Sequence, residues 1–72
     1  MSEPDMQMVD SSSVEAVGYD PEAREIYVRF IGGRTYVYQG ADERTFEELR
    51  TADSVGGYLN RVLKPSYQYR KV

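Results

Sequence analysis

Apolar and polar residues alternate in three successive stretches of the chain, then recur at helical spacing in two later ones. In Val14 to Tyr19, Val14, Ala16 and Gly18 fall on one side and Glu15, Val17 and Tyr19 on the other, as a strand requires. In Glu25 to Phe30, Ile26, Val28 and Phe30 alternate with Glu25, Tyr27 and Arg29, the pattern of a half-buried strand. Asp20-Pro21-Glu22-Ala23-Arg24 reads as the turn between them, because Pro21 fixes φ and Asp20 can hydrogen-bond the backbone that follows. Ile31-Gly32-Gly33 leads into a third strand, Arg34 to Gln39, built around Tyr36-Val37-Tyr38.

The glycine loop decides how the second and third strands pair, and a slip of one residue moves a whole side-chain set to the other face. A two-residue loop at Gly32-Gly33 pairs Val28 with Val37 and Tyr27 with Tyr38. A three-residue loop, with Gly33 left-handed in a bulge, pairs Val28 with Tyr36 and Ile26 with Tyr38. The second register gathers Ile26, Val28, Phe30, Tyr36 and Tyr38 on one face. That larger apolar surface is what a small domain needs, so this is the expected register.

Asp42 to Ala52 predicts a helix, with Asp42 as N-cap and Phe46, Leu49 and Ala52 on one face. Ser54 caps a second helix in which Val55, Tyr58, Leu59, Val62 and Leu63 fall at i, i+3, i+4, i+7 and i+8. Pro65 disfavours helical geometry at Lys64 and is expected to end it there. Ser66 to Val72 alternates again, with Tyr67 and Tyr69 on one side and Gln68 and Arg70 on the other; it reads as a short edge strand or an ordered tail. Residues 1–10 show no sustained periodicity, and Pro4 sits among acids, so they are expected to form a disordered tail. The expected architecture is a single α+β domain over residues 11–72. It consists of a three-stranded antiparallel meander, two helices packed on one face and a short C-terminal strand.

Composition narrows the chemistry. The 72 residues include no cysteine and no histidine, which removes disulfides, thiolate zinc sites and any nucleophile or triad built on those side chains. No spacing among the remaining Ser, Tyr, Asp and Glu residues assembles a nucleophile with its base, so no enzyme is expected, and no cofactor or metal. Asp20, Glu22 and Glu25 lack an EF-hand arrangement. No run approaches the roughly 18 apolar residues of a membrane span. The first residues, Met1-Ser2-Glu3-Pro4-Asp5, are acidic where a signal peptide is basic, so the expectation is a soluble, cytoplasmic protein. The net charge of −3 is unevenly spread: −6 over residues 1–28, −1 over 29–53 and +4 over 54–72.

Gly18-Tyr19-Asp20, the Ile26/Val28/Phe30 strand, Gly33, Tyr36-Val37-Tyr38, Ser54-Val55-Gly56, Tyr58-Leu59-Asn60 and Tyr67-Gln68-Tyr69 occur in an order that resembles the KTSC domain. The resemblance runs from about Ser12 to Val72; no single motif carries it, and the ordered series does. That family is named for its place at the C-terminus of some lysyl-tRNA synthetases, and it also occurs as small stand-alone bacterial proteins. The resemblance implies a small α+β domain, and the synthetase attachment implies RNA binding. Where the family often has Val-Pro entering the first helix, this chain has Gly40-Ala41, which is expected to loosen the helix entry.

Three features are candidate sites, each with a structural reading beside the functional one. Arg61, Lys64, Arg70 and Lys71, interleaved with Tyr67 and Tyr69, combine charge for phosphates with rings for bases, as single-stranded RNA contact requires; the structural reading is a basic end that balances an acidic half. Tyr36 and Tyr38 can stack bases or fill the core, and the preferred register assigns them to the core, leaving Tyr27 and Tyr19 on the opposite face with Tyr27 as a further stacking candidate. Ser54, Gly56 and Gly57 open a helix with backbone N–H groups that can hold an anion, or that serve an ordinary cap. The expected function is a non-catalytic binding module for RNA, tRNA or a single strand. The alternative is a protein-interaction or self-associating domain that uses a sheet edge.

Overall fold

The computed structural model describes residues 4–72. Five strands, β1 (Met6–Met8), β2 (Val14–Asp20), β3 (Glu25–Phe30), β4 (Thr35–Gln39) and β5 (Tyr69–Lys71), form one antiparallel sheet in chain order. The central hairpin has the three-residue loop. Phe30 N–H donates to the Arg34 carbonyl at 2.7 Å, and Val28 and Ile26 face Tyr36 and Tyr38. Gly32 and Gly33 have φ of +108° and +98°, which only glycine adopts without strain.

Two expectations about the sheet change, and a third, the short C-terminal strand, is borne out. The sheet has five strands, because Met6, Gln7 and Met8 pair with Gly18, Val17 and Ala16 where a tail was expected. Gly18 makes this possible: a Cβ there would meet Met6 Sδ at 2.7 Å and the Asp5 carbonyl oxygen at 2.8 Å. Residues 1–3 of that expected tail lie outside the described residues. In β2 the register shifts between Val14 and Ala16, so Glu15 is an extra residue; Val14 faces Phe30, and Val17 faces Val28. This bulge turns Val14 onto the same side as Val17 and Tyr19, where strict alternation had put it with Ala16. Finally, Ser66 to Val72 contains a strand: β5 pairs with β4, Tyr38 opposite Tyr69 and Tyr36 opposite Lys71.

The helical layer covers one face. Helix α1 (Glu43–Arg50) is capped by Asp42, whose carboxylate accepts from Thr45 N–H at 2.9 Å; that bond lowers the Asp42 pKa. The Gly40-Ala41 entry is held firmly. Ala41 is fully buried, its N–H donates to the Arg24 carbonyl at 2.9 Å, and its own carbonyl accepts from the Tyr19 hydroxyl at 2.9 Å. The second helical run begins with α2 (Val55–Tyr58), widens into a π-helical turn (Leu59–Leu63) and ends in α3 (Lys64–Ser66). It continues past Lys64, contrary to expectation. In a regular α-helix the Pro65 ring would collide with the carbonyl four residues back. The π turn uses bonds one residue longer, such as Lys64 N–H to the Leu59 carbonyl, and so accommodates the proline. Among the described residues no helix is long and apolar enough to cross a membrane.

The core lies between these layers. Val17, Ile26, Val28 and Tyr38 of the sheet pack with Leu49, Leu59 and Leu63 of the helices, all fully or almost fully buried. Complete burial of an aliphatic side chain of this size stabilises by about 1.5–3 kcal/mol, which explains why both helices dock on this face. Phe30, Tyr36 and Tyr67 lie at the margin of that core, packed against it but half-exposed.

Candidate functional site

The hairpin register and the second helical run meet at one margin of the core. Phe30 and Tyr36 project from β3 and β4 toward the helical layer there. Arg34 follows directly after the two glycines of the turn, and Lys64 stands where the π turn ends. These four residues line a groove of about 230 Å³. Phe30 and Tyr36 meet edge-on, with ring centroids 5.5 Å apart and planes at 78°. Tyr69, brought alongside by β5, stacks on Tyr36 at 5.5 Å with planes only 14° apart, and leans on Tyr38 at 5.4 Å. Lys71 is the cross-strand partner of Tyr36 and shares its face.

Arg34, Lys64 and Lys71 are exposed, and none has a carboxylate partner among the described residues. Four of the other six cations are engaged, Arg29 with Glu15, Arg44 with Glu48, Arg50 with Glu47 and Arg70 with Glu25, while Arg24 and Arg61 have no carboxylate partner among the described residues. Two unneutralised positive charges therefore line the groove, and a third, Lys71, stands on the same sheet face beside a short array of rings. Beneath it, burial pushes the Tyr38 phenol up to about 12, and the neighbouring Tyr69 and Tyr36 phenols add to the shift.

The residues expected to bind RNA do not all meet. Lys64 lines the groove, and Tyr69 and Lys71 lie on the sheet face that carries Tyr36. Arg70 and Tyr27 lie on the opposite face of the sheet, because Arg70 pairs with Val37 and Val37 with Tyr27. There Arg70 reaches past β4 to Glu25 at 3.0 Å, a bond that holds the guanidinium charged. Arg61 is exposed on the helix surface, and its Nε–H points to the Gly57 carbonyl at 3.3 Å. Tyr67 is half-buried against the core, its hydroxyl 3.4 Å from Thr45 Oγ1. Arg34, Phe30 and Tyr36 complete the groove and were not expected there. The hairpin register could have located Arg34 beside Phe30, but not the helix end opposite them.

The Ser54, Gly56 and Gly57 segment has its own hollow, shared with Ser11, Ser12 and Ser13. Ser54 Oγ accepts from Gly57 N–H at 3.0 Å, the geometry of an N-cap. Gly56 lies so close to Ser13 that an added Cβ would sit 2.9 Å from its Oγ. Asp10 and Asp53 line the same hollow and oppose an anion.

A five-stranded antiparallel meander under a layer of two helical segments, with a basic-aromatic groove at its margin, defines a small α+β domain. The chain belongs to the KTSC domain family, whose model matches residues 10–67. A KTSC domain protein from Yersinia pestis, known from its crystal structure, superimposes with a TM-score of 0.87 at 35% sequence identity; the match covers 94% of this chain and 96% of that one. A protein from Tsukamurella paurometabola is 41% identical over 63 residues, covering 88% of this chain and 94% of its own length. An uncharacterized protein from Stutzerimonas stutzeri is 37% identical over 65 residues, covering 89% and 92%.

Proposed function

We propose that this domain is a non-catalytic module that binds single-stranded RNA through the groove between the central hairpin and the end of the second helical run. One observation carries the reading: Arg34, Lys64 and Lys71 stand unpaired around Phe30, Tyr36 and Tyr69. Cations without carboxylate partners lose little on meeting phosphate, and rings on an open margin supply sequence-tolerant stacking of roughly 1–3 kcal/mol per base. The absence of cysteine and histidine leaves the site without the commonest catalytic groups, which fits a binding role.

Titration of the purified domain with a short single-stranded RNA at two salt concentrations tests the reading. Three phosphate contacts to a single strand give a slope of log affinity against log salt of roughly −2. The slope of roughly −3 expected for all of Arg61, Lys64, Arg70 and Lys71 does not suit their separation onto different surfaces. An Arg34→Glu/Lys64→Glu double variant should abolish binding. Absence of binding at low salt, or affinity indifferent to salt, rejects the proposal.

A protein partner at a sheet edge is the second reading. It is supported by β1, an outer strand that carries Met8 at 73% exposure. Its three-residue length limits the ladder it can offer. Light scattering that finds only monomer would remove self-association from this reading.

A further inference from the structure

We infer that β1 is a self-pairing edge, through which two copies of this chain join antiparallel about a two-fold axis at Gln7. The two sheets then continue as one of ten strands. The inference names a second copy as the occupant of the sheet edge, rests on the sheet-edge reading, and is independent of RNA binding.

The backbone of β1 is aligned for such a pair. Val9 N–H donates to the Glu15 carbonyl at 3.1 Å, so it points toward β2. Backbone groups alternate between the two sides of a strand. Gln7, opposite Val17, therefore also turns toward β2, while Met6 and Met8 turn their N–H and C=O groups away from it. Pairing centred on Gln7 sets Met6 against the second copy's Met8, and Met8 against its Met6. Each becomes a hydrogen-bonded pair, so the outward groups of both methionines find partners at once.

The side chains match in the same register. Met6 and Met8 lie opposite Gly18 and Ala16, on the sheet face away from the helices. Met8 is 73% exposed, the most exposed large apolar side chain among the described residues. The two-fold gathers the methionines of both copies into one apolar strip, and methionine adapts readily to such packing. No charge lies within β1, whereas β5 carries Arg70 and Lys71, and edge cations oppose strand addition. A head-to-tail contact of β1 with β5 that keeps the helices on one side is parallel and does not close. The β1–β1 contact is antiparallel and closes at two copies. Three residues a side make a small interface, below the roughly 1,200 Å² of stable complexes, so the dimer is weak and follows concentration.

Sedimentation equilibrium and NMR of the whole chain over a dilution series test this. The amides of Met6 and Met8 should shift saturably with concentration, and that of Lys71 should not. In a mixture of isotope-labelled and unlabelled chains, a nuclear Overhauser effect should link the Met6 methyl of one copy to the Met8 methyl of the other. Met8→Lys should weaken the dimer by about tenfold or more, because it places a charge in the apolar strip. Lys71→Glu, at the far edge, should leave it unchanged. Slow exchange at the Gln7 amide in Met8→Lys would show that β1 is still paired with β2; the methyl contact in the parent decides the matter even if it is not. Asp5 and Asp10 flank β1 in both copies, so salt should strengthen the dimer by screening them. A dimer that weakens with salt joins the acidic edge to the basic one and overturns the β1–β1 pair. So does a dimer that ignores Met8→Lys and lacks the methyl contact, although self-association itself then stands. A monomer even at millimolar concentration overturns the inference and removes self-association from the sheet-edge reading, which then requires a different protein.

Discussion

Tyr38 is fully buried, yet its hydroxyl has no hydrogen-bond partner among the described residues. A buried polar group left unsatisfied costs about 1–3 kcal/mol. Tyr38→Phe removes that group and keeps the ring that packs against Tyr69, so urea unfolding should show a stability equal to or up to ~1 kcal/mol above that of the parent. The same residue predicts an alkaline limit. Its phenol is pushed up to about 12 in the folded chain from an ordinary value of 10.0. Tyr58 is pushed up to about 12 as well, by burial and by its hydrogen bond to Glu48. Above the unfolded value the unfolded chain loses these protons while the folded chain retains them, so stability is fully present below pH 10 and falls between there and about pH 12. Unfolding measured across that window should show the fall, and it should be smaller in Tyr38→Phe.

At the scale of elements, two glycines hold strands in place for different reasons. Gly33 is needed for its backbone: nothing lies within 4 Å of an added Cβ, but φ is +98°. Gly33→Ala should cost about 1–3 kcal/mol, the usual range for a non-glycine residue held in such a conformation. Gly18 is needed for space, since an added Cβ would press on Met6 of the neighbouring strand and on the Asp5 carbonyl just before it. Gly18→Ala should therefore detach β1 and leave the rest of the sheet paired. Hydrogen exchange would show faster loss of protection at Met6–Met8 with little change at Val28 or Val37; unchanged protection at β1 would contradict this account. The π turn is a third local adjustment. It carries the second helical run through Pro65, so that Lys64 lines the groove on a helical backbone.

Across the whole molecule, chain order and sheet order coincide, so β1 and β5 form opposite edges. The acidic N-terminal part of the chain starts at one edge, and the basic C-terminal part ends at the other. Asp5, Glu43 and Glu47 line a hollow beside Tyr19 and Phe46 near β1, while Arg34, Lys64 and Lys71 gather near β5. Two adjacent residues test whether net charge or placement governs binding. Lys71→Glu and Arg70→Glu change the net charge equally, but Lys71 lies on the groove face and Arg70 on the other, paired with Glu25. Lys71→Glu should weaken RNA binding about tenfold at low salt, while Arg70→Glu should leave it within about twofold. Equal losses would mean that the general field, and not the groove, attracts the ligand.

Features held by short-range chemistry could be read from the chain. The hairpin register follows from two glycines and the demand that Ile26 and Val28 share a face with Tyr36 and Tyr38. The caps at Asp42 and Ser54 follow from one side-chain oxygen and an N–H three residues on. Other features required the assembled layers. Met6–Met8 has no pattern of its own and becomes a strand because Gly18 leaves room for it. The bulge at Glu15 and the π turn before Pro65 each shift a local period to suit packing. The basic-aromatic cluster at the C-terminus was visible in the sequence only as a string of residue types. Pairing with β4 puts Tyr69 and Lys71 on the sheet face that carries Tyr36 and Arg70 on the other. Arg34, Phe30 and Tyr36, some thirty residues earlier in the chain, join them because the sheet places β4 beside β5. Sequence alone determined the strands, caps and turn that depend on neighbouring residues. Tertiary structure decided which side chains share a surface, because that depends on how distant segments pair.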